Sequence, residues 1–113
     1  MSPAALRRAA PTADAMDLLR GMLEEQFAAH TARLTQLTVH ARLPRRGGPD
    51  PRTLDAQAAT ARRRIAETAH ALRRMSDGSY GACAQCRRPI PLGRLRAMPC
   101  ATHCTPCERR RSP

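Results

Sequence analysis

Four cysteines constrain this chain more than any other feature of its sequence. Cys83 and Cys86 form one C-x-x-C pair, Cys104 and Cys107 form a second, and 17 residues lie between the two pairs. Each pair closes a turn that aims two sulfurs at one point, and two such turns facing each other supply the four thiolates of a tetrahedral structural zinc site. Soft thiolate ligands disfavour magnesium and calcium and leave an iron–sulfur cluster as the alternative. A redox dithiol would use one pair and leave the other idle, and no strand-and-crossover pattern surrounds either pair. The expectation is one structural Zn2+ ion in a closed site, without an open position for catalysis. Cys100 lies seven residues before Cys107 and lacks the local spacing of Cys104 and Cys107. It and His103 are expected to pack or be exposed near the metal rather than bind it.

The rest of the composition argues against a broad hydrophobic core. The 113 residues contain one Phe, one Tyr and no Trp, so most apolar volume comes from Ala and Leu. A helical hairpin and a metal-held knob both manage with little core, because helix pairing or the ion supplies the missing cohesion. The predicted fold is therefore mainly α: a long antiparallel helical hairpin, or coiled coil, followed by a small four-cysteine zinc-finger module. No apolar run reaches the length of a membrane span, and no export signal is visible. Ligand-spaced thiols then point to the cytoplasm. All 20 basic residues are Arg, and the formal net charge is +11. With four thiolates and one zinc the balance stays near +9, a charge that favours nucleic acid or acidic protein surfaces and equally describes a solvated basic surface.

Hydrophobic spacing divides the chain. Residues 1–11 read as a flexible leader. Thr12 caps a helix from Ala13, with Asp14 and Asp17 near its positive end. Met16, Leu19, Leu23, Phe27, His30, Leu34, Leu37 and Ala41 recur at three- and four-residue intervals, which predicts about 30 residues of helix, or roughly 45 Å, ending before Pro44. His30 reads as a polar member of that seam. Pro and Gly residues between Leu43 and Thr53 predict a turn. A second helix is expected near Leu54, with Leu54, Ala58, Ala61, Ile65, Ala69 or Thr68, Leu72 and Met75 facing the first. The hairpin thus covers 12–76, with its turn near 43–53. The zinc module covers 77–108, and a basic tail of 109–113 is expected to fray. Within the module Ile90, Leu92, Leu95, Ala97 and Met98 are the expected core, and Tyr80 is placed to cover the metal.

One segment carries a family resemblance. Gly78-x-Tyr80-Gly81-x-Cys83-x-x-Cys86, then Pro89-Ile90, Arg94-Leu95-x-Ala97-x-Pro99-x-Ala101 and Cys104-x-x-Cys107, closely resembles the zinc-finger signature of the DksA/TraR family. The resemblance is strong over about residues 76–107 and extends to the hairpin in architecture alone. It implies a monomeric transcription regulator that binds bacterial RNA polymerase through the secondary channel and modulates initiation, often with the alarmone ppGpp. Cys83, Cys86, Cys104 and Cys107 take the family's zinc-ligand positions, and the tip corresponds to Leu43 through Ala58. The acidic D-x-x-D-x-A pattern of well-studied tips is absent here. Asp50 and Asp55 are five apart, with Arg45, Arg46 and Arg52 around them, so these five are the candidate polymerase-facing residues of an atypical tip. Two other classes remain open. One is a nucleic-acid-binding zinc module using Arg87, Arg88, Arg94, Arg96 and the tail; the other is a structural adaptor pairing through its arms. No nucleophile and base combination, paired carboxylates or phosphate-cradling loop marks an enzyme.

Overall fold

A computed structural model describes residues 11–43 and 47–111, and among these described residues two long antiparallel helices are followed by two short ones. Helix α1 spans Ala13–Arg42, 30 residues. The Thr12 hydroxyl oxygen accepts from the Ala15 backbone N–H at 3.1 Å, which satisfies one of the unpaired donors of the first turn. Helix α2 spans Pro51–Asp77, 27 residues. It starts before the expected Leu54, because Asp50 caps it through the Arg52 N–H at 3.3 Å and Pro51 occupies the first helical position. Proline there loses no hydrogen bond and already has helical φ, so a residue that reads as a turn former opens the helix. At the other end Gly78 adopts φ 83° and donates its N–H to the Arg74 carbonyl, a left-handed termination that favours glycine.

The two helices meet along one seam, with Leu19, Leu23 and Leu37 of α1 and Leu54, Ala61, Thr68, Ala71 and Met75 of α2 buried. Arg33 Nη2 donates to Gln57 Oε1 at 3.3 Å across the pair and marks the register. The expected α1 stripe is partly corrected. Phe27 is 37% exposed and Ala41 is exposed. A straight α-helix drifts from a seven-residue repeat, which carries Phe27 to the flank of a two-helix seam that no third layer covers. Ala41 lies at the open end. On α2 the buried position is Thr68 rather than Ala69. Its hydroxyl donates to the carbonyls of Arg64 at 2.8 Å and Ile65 at 3.0 Å, so burial leaves no polar atom stranded.

Beyond Gly78 the chain folds back on the base of the hairpin. Ala82 and Pro89 form an antiparallel bridge, helix α3 spans Leu92–Ala97, and helix α4 spans Thr105–Arg111. Arg109, Arg110 and Arg111 therefore belong to a helix among the described residues rather than to a frayed tail. One continuous core joins Leu19, Leu23, Ala71 and Met75 of the hairpin to Tyr80, Cys83, Ile90, Leu95, Ala101 and Cys107 of the module. Gly81 adopts φ 86°, and a side chain there would meet Pro11 Cγ at 3.6 Å and Leu95 Cδ1 at 3.7 Å. Ala97 and Met98 are exposed instead of contributing core. A helix as short as α3 presents one inward face, and the i, i+3 pair Leu92 and Leu95 occupies it.

Candidate metal centre

Each cysteine pair sits on a turn whose backbone explains its geometry. In the first, the Cys83 N–H donates to Arg88 O at 2.9 Å and the Arg87 N–H donates to Cys83 O at 3.0 Å. Closing this loop forces Arg87 to φ 67°, the left-handed region where a non-glycine residue is strained by roughly 1 kcal/mol or more. In the second, Cys104 precedes α4 and Cys107 lies in its first turn. The Glu108 N–H donates to Cys104 O at 2.9 Å, so the start of the helix fixes the spacing of the two sulfurs. The Ala84 N–H reaches Thr102 O at 2.8 Å and ties one turn to the other.

The four sulfurs lie within 4.8 Å of one another. Cys86 Sγ and Cys104 Sγ are 3.7 Å apart, close to the edge of about 3.8 Å expected for a sulfur tetrahedron around an ion bound at about 2.3 Å. All four are free thiols; Cys83 and Cys107 are buried, Cys104 is half-buried and Cys86 is exposed. The donor set and spacing fit one thiophilic ion, whereas a polynuclear cluster would hold its thiolates on separate irons. Electrostatics within the cluster is divided. Burial opposes ionisation of Cys83, but the backbone N–H groups of Cys86, Cys104 and Gln85 together with the Cys86 thiol outweigh it and bring its thiol down to about 5. Cys107 is pushed up to about 12 by side-chain hydrogen bonds with Cys104, by burial and by its neighbours Cys83 and Cys86. The fold thus favours the thiolate at Cys83 and opposes it at Cys107, and a cation held among the four sulfurs would favour the ionised form at both.

Cys100 and His103 stand outside this group of four. Cys100 is half-buried against the core, and burial, followed by the Glu67 carboxylate, raises its thiol above the ordinary range. His103 Nδ1 accepts from Arg111 Nη1 at 3.0 Å and bonds Thr102 Oγ1 at 2.8 Å, while Arg94 Nε donates to the His103 carbonyl at 3.0 Å. Its ring links α4 to the second turn.

Two residues join the metal module to the hairpin. The Tyr80 hydroxyl donates to Pro99 O at 2.8 Å across the interior, and burial, then Cys100, pushes its pKa up to about 12. Arg74, 9% exposed, donates through Nη2 to Ala82 O at 2.6 Å and to Ser79 O at 2.9 Å. The Arg74 carbonyl in turn accepts from the N–H groups of Ser79 and Tyr80 at 2.9 and 3.1 Å. This residue fastens the end of α2 to the chain entering the first cysteine turn. Sequence reasoning missed it, since an Arg in the last turn of a helix ordinarily reads as a solvated partner of the helix dipole.

The candidate tip residues are less concentrated. Asp50 is engaged as the α2 cap, and Arg52 and Asp55 are exposed on the first turns of that helix. Arg45 and Arg46 lie outside the described residues.

Comparison with known proteins gives three findings. The family profile of the prokaryotic dksA/traR C4-type zinc finger matches residues 78–113. The RNA polymerase-binding transcription factors DksA of two Caulobacter vibrioides strains are each 44% identical over 59 residues, covering 52% of this chain and 39% of the relative. The chain thus matches about two fifths of the length of these curated relatives. The structure of transcription factor DksA2 from Pseudomonas aeruginosa superposes with a TM-score of 0.75 at 24% identity, covering 88% of this chain and 84% of the other, and shows a common fold.

Proposed function

We propose that the chain is a zinc-finger regulator of the DksA/TraR type, which holds one structural Zn2+ at Cys83, Cys86, Cys104 and Cys107 and regulates transcription by binding bacterial RNA polymerase. The observation that carries the reading is the continuity of the cysteine module with the base of a hairpin about 45 Å long. When bound, zinc neutralises the clustered thiolates and cross-links the two turns. The protein's own residues do the rest. Ile90 and Leu95 seat the module on Leu19, Leu23 and Met75, while Arg74 and Tyr80 fix how it meets the hairpin. A helix pair projecting from a rigid base has the shape to enter a channel in a large partner. The DksA relatives are named for polymerase binding.

Tip chemistry separates attachment from regulation in this proposal. With Asp50 engaged in capping, Asp55 is the one carboxylate of the described tip without a hydrogen bond or ion pair there, and Arg52 lies beside it in sequence. A guanidinium cannot replace a carboxylate near a catalytic magnesium and is repelled by it. Cooperation with ppGpp is part of the same reading and is tested by adding ppGpp to the transcription assay below. Purified polymerase should retain the wild-type protein in a pull-down. A variant joining His30 to Thr60 through a short Gly/Ser link removes the distal arms, keeps the base core and should lose retention. Asp50→Asn with Asp55→Asn should bind and leave output from a sensitive promoter nearly unchanged. Absence of wild-type association at micromolar protein sinks the polymerase reading; strong regulation abolished by the double substitution sinks the weak tip alone.

A further inference from the structure

The arginines among the described residues are largely without acidic partners. Among the described residues the ion pairs are Asp17–Arg20 and Glu108–Arg111, both between exposed groups three residues apart. Most unpaired guanidiniums are scattered, but three converge. On one side of the hairpin, between its middle and the tip, Arg33 of α1 and Arg52 and Arg64 of α2 line an open trough of about 590 Å3, with Gln57 and Thr60 between them. No carboxylate contributes to its lining. The small residues Ala56 and Ala61 form part of its floor, so a chain can approach the helix backbones closely. Arg33 is held in position by its bond to Gln57 Oε1 at 3.3 Å, which orders one guanidinium across the seam before any ligand arrives. A neighbouring cavity shares His30 and Arg64 but also contains Glu67 and Glu108, so the purely basic surface ends toward the metal module.

We infer that this trough binds the sugar–phosphate backbone of single-stranded nucleic acid without regard to base sequence. Arg52 and Arg64 are 12 positions apart on α2, or about 18 Å along its axis, a span that accommodates several phosphates of a strand advancing about 3.4 Å each when stacked. Guanidiniums suit phosphate oxygens because their planar donor forks engage two at once. The trough lining offers one imidazole, His30, and no Phe, Tyr or Trp, so it has no series of rings on which successive bases could stack. Binding must then come from phosphate contacts, with steep salt dependence and little discrimination among bases. A duplex is the poorer ligand, since the recess runs along a single helix pair and a rigid double helix would reach it with one strand. This surface is separate from the cysteine module and does not depend on the polymerase reading.

The test uses the zinc-loaded full chain without polymerase and measures fluorescence anisotropy with labelled oligouridylate of about twelve nucleotides, then oligothymidylate and a duplex of the same length. Three phosphate contacts predict a slope of about −2 in log affinity against log salt, or roughly tenfold weakening from about 50 to 150 mM. Combined Arg33→Gln, Arg52→Gln and Arg64→Gln should weaken binding at low salt by at least about tenfold and remove most of that slope, while Arg64→Gln alone lowers it by about 0.7. A control with Arg87→Gln, Arg88→Gln and Arg96→Gln should stay within about threefold. Circular dichroism and zinc content verify that each variant is folded. The two single-stranded probes should bind within about threefold of each other and more tightly than the duplex. No binding by wild type, equal losses in the two triple variants, or duplex binding as tight as single-strand binding overturns the inference. So does a preference above about tenfold between the two single-stranded probes. Because polymerase is absent, any of these results leaves the pull-down reading intact.

Discussion

Arg74→Met isolates the polar link between the hairpin and the metal module. Methionine preserves much of the apolar stem and deletes the guanidinium, so the packing of α2 against the module changes little. Two short bonds disappear, from Nη2 to Ala82 O at 2.6 Å and to Ser79 O at 2.9 Å; the longer contact from Nε to Ser79 Oγ at 3.4 Å adds little. Hydrogen bonds involving a charged group contribute about 1.5–3 kcal/mol each, which sets a gross loss near 3–6 kcal/mol. The folded state also stops holding a mostly buried guanidinium, which offsets part of that loss. Ser79 O keeps a bond from the Ala82 N–H at 3.3 Å, whereas Ala82 O has no other protein donor among the described residues. The net destabilisation should be about 2–3 kcal/mol, read in urea melts of the zinc-loaded protein, with faster zinc transfer to a colorimetric chelator. Arg74→Lys should fall between, because an ammonium lacks the fork that spans two carbonyls. A Met variant within about 0.5 kcal/mol of wild type, or more stable than it, would show that desolvation cancels the hydrogen bonds and refute the fastening role.

Tyr80→Phe strands the Pro99 carbonyl and should cost about 1–2 kcal/mol in the same melts. Since the folded-state pKa of Tyr80 is raised from 10 to about 12, its neutral form is favoured in the fold: its contribution is complete below pH 10 and is lost as pH rises toward 12. The Phe variant should lack that component of the alkaline transition, and an unchanged alkaline profile would exclude Tyr80 as its source. Cys100→Ala should retain one zinc per chain by elemental analysis, whereas Cys104→Ser should lose it; loss of zinc from the Cys100 variant would overturn the assignment of the four ligands. Stripping the metal with a chelator should remove helical circular dichroism from the hairpin base as well as order in residues 80–107, because they share one core. Full retention of hairpin stability after chelation would argue against that coupling.

The parts legible in the sequence were those governed by local rules. Cysteine spacing brought the same four sulfurs to attention that the fold places together, and Thr12 and Pro44 bracketed α1 because capping and chain termination act over a few residues. Misreadings arose where a second surface competed with the first. A two-helix stripe alone could not distinguish Thr68 from Ala69, nor show that Ala71 and Arg74 would be covered by a module folding back on α2. Phe27 looked like core by residue type, but a hairpin has no third layer to bury its flank. The Asp50-Pro51 pair read as a turn, although the same pair opens a helix when residues that favour helix follow it.

Coupling at the base would give a metal held by the four cysteines a wider structural role than closing two turns. Cys83 and Cys107 belong to the same buried cluster as Leu19, Leu23, Ala71 and Met75, so the cross-link and the hairpin base are stabilised together. The helix pair beyond them is held by a narrower set of contacts, with Leu37 and Leu54 buried near the tip end and a side-chain bond from Arg33 to Gln57 between. Removing such an ion would therefore act first on the base, where a small change in orientation is multiplied along an arm of about 45 Å: a tilt of about 10° moves its far end by roughly 8 Å. The same lever makes Arg74 and Tyr80, neither a metal ligand nor a tip residue, the side chains that fix where the tip points.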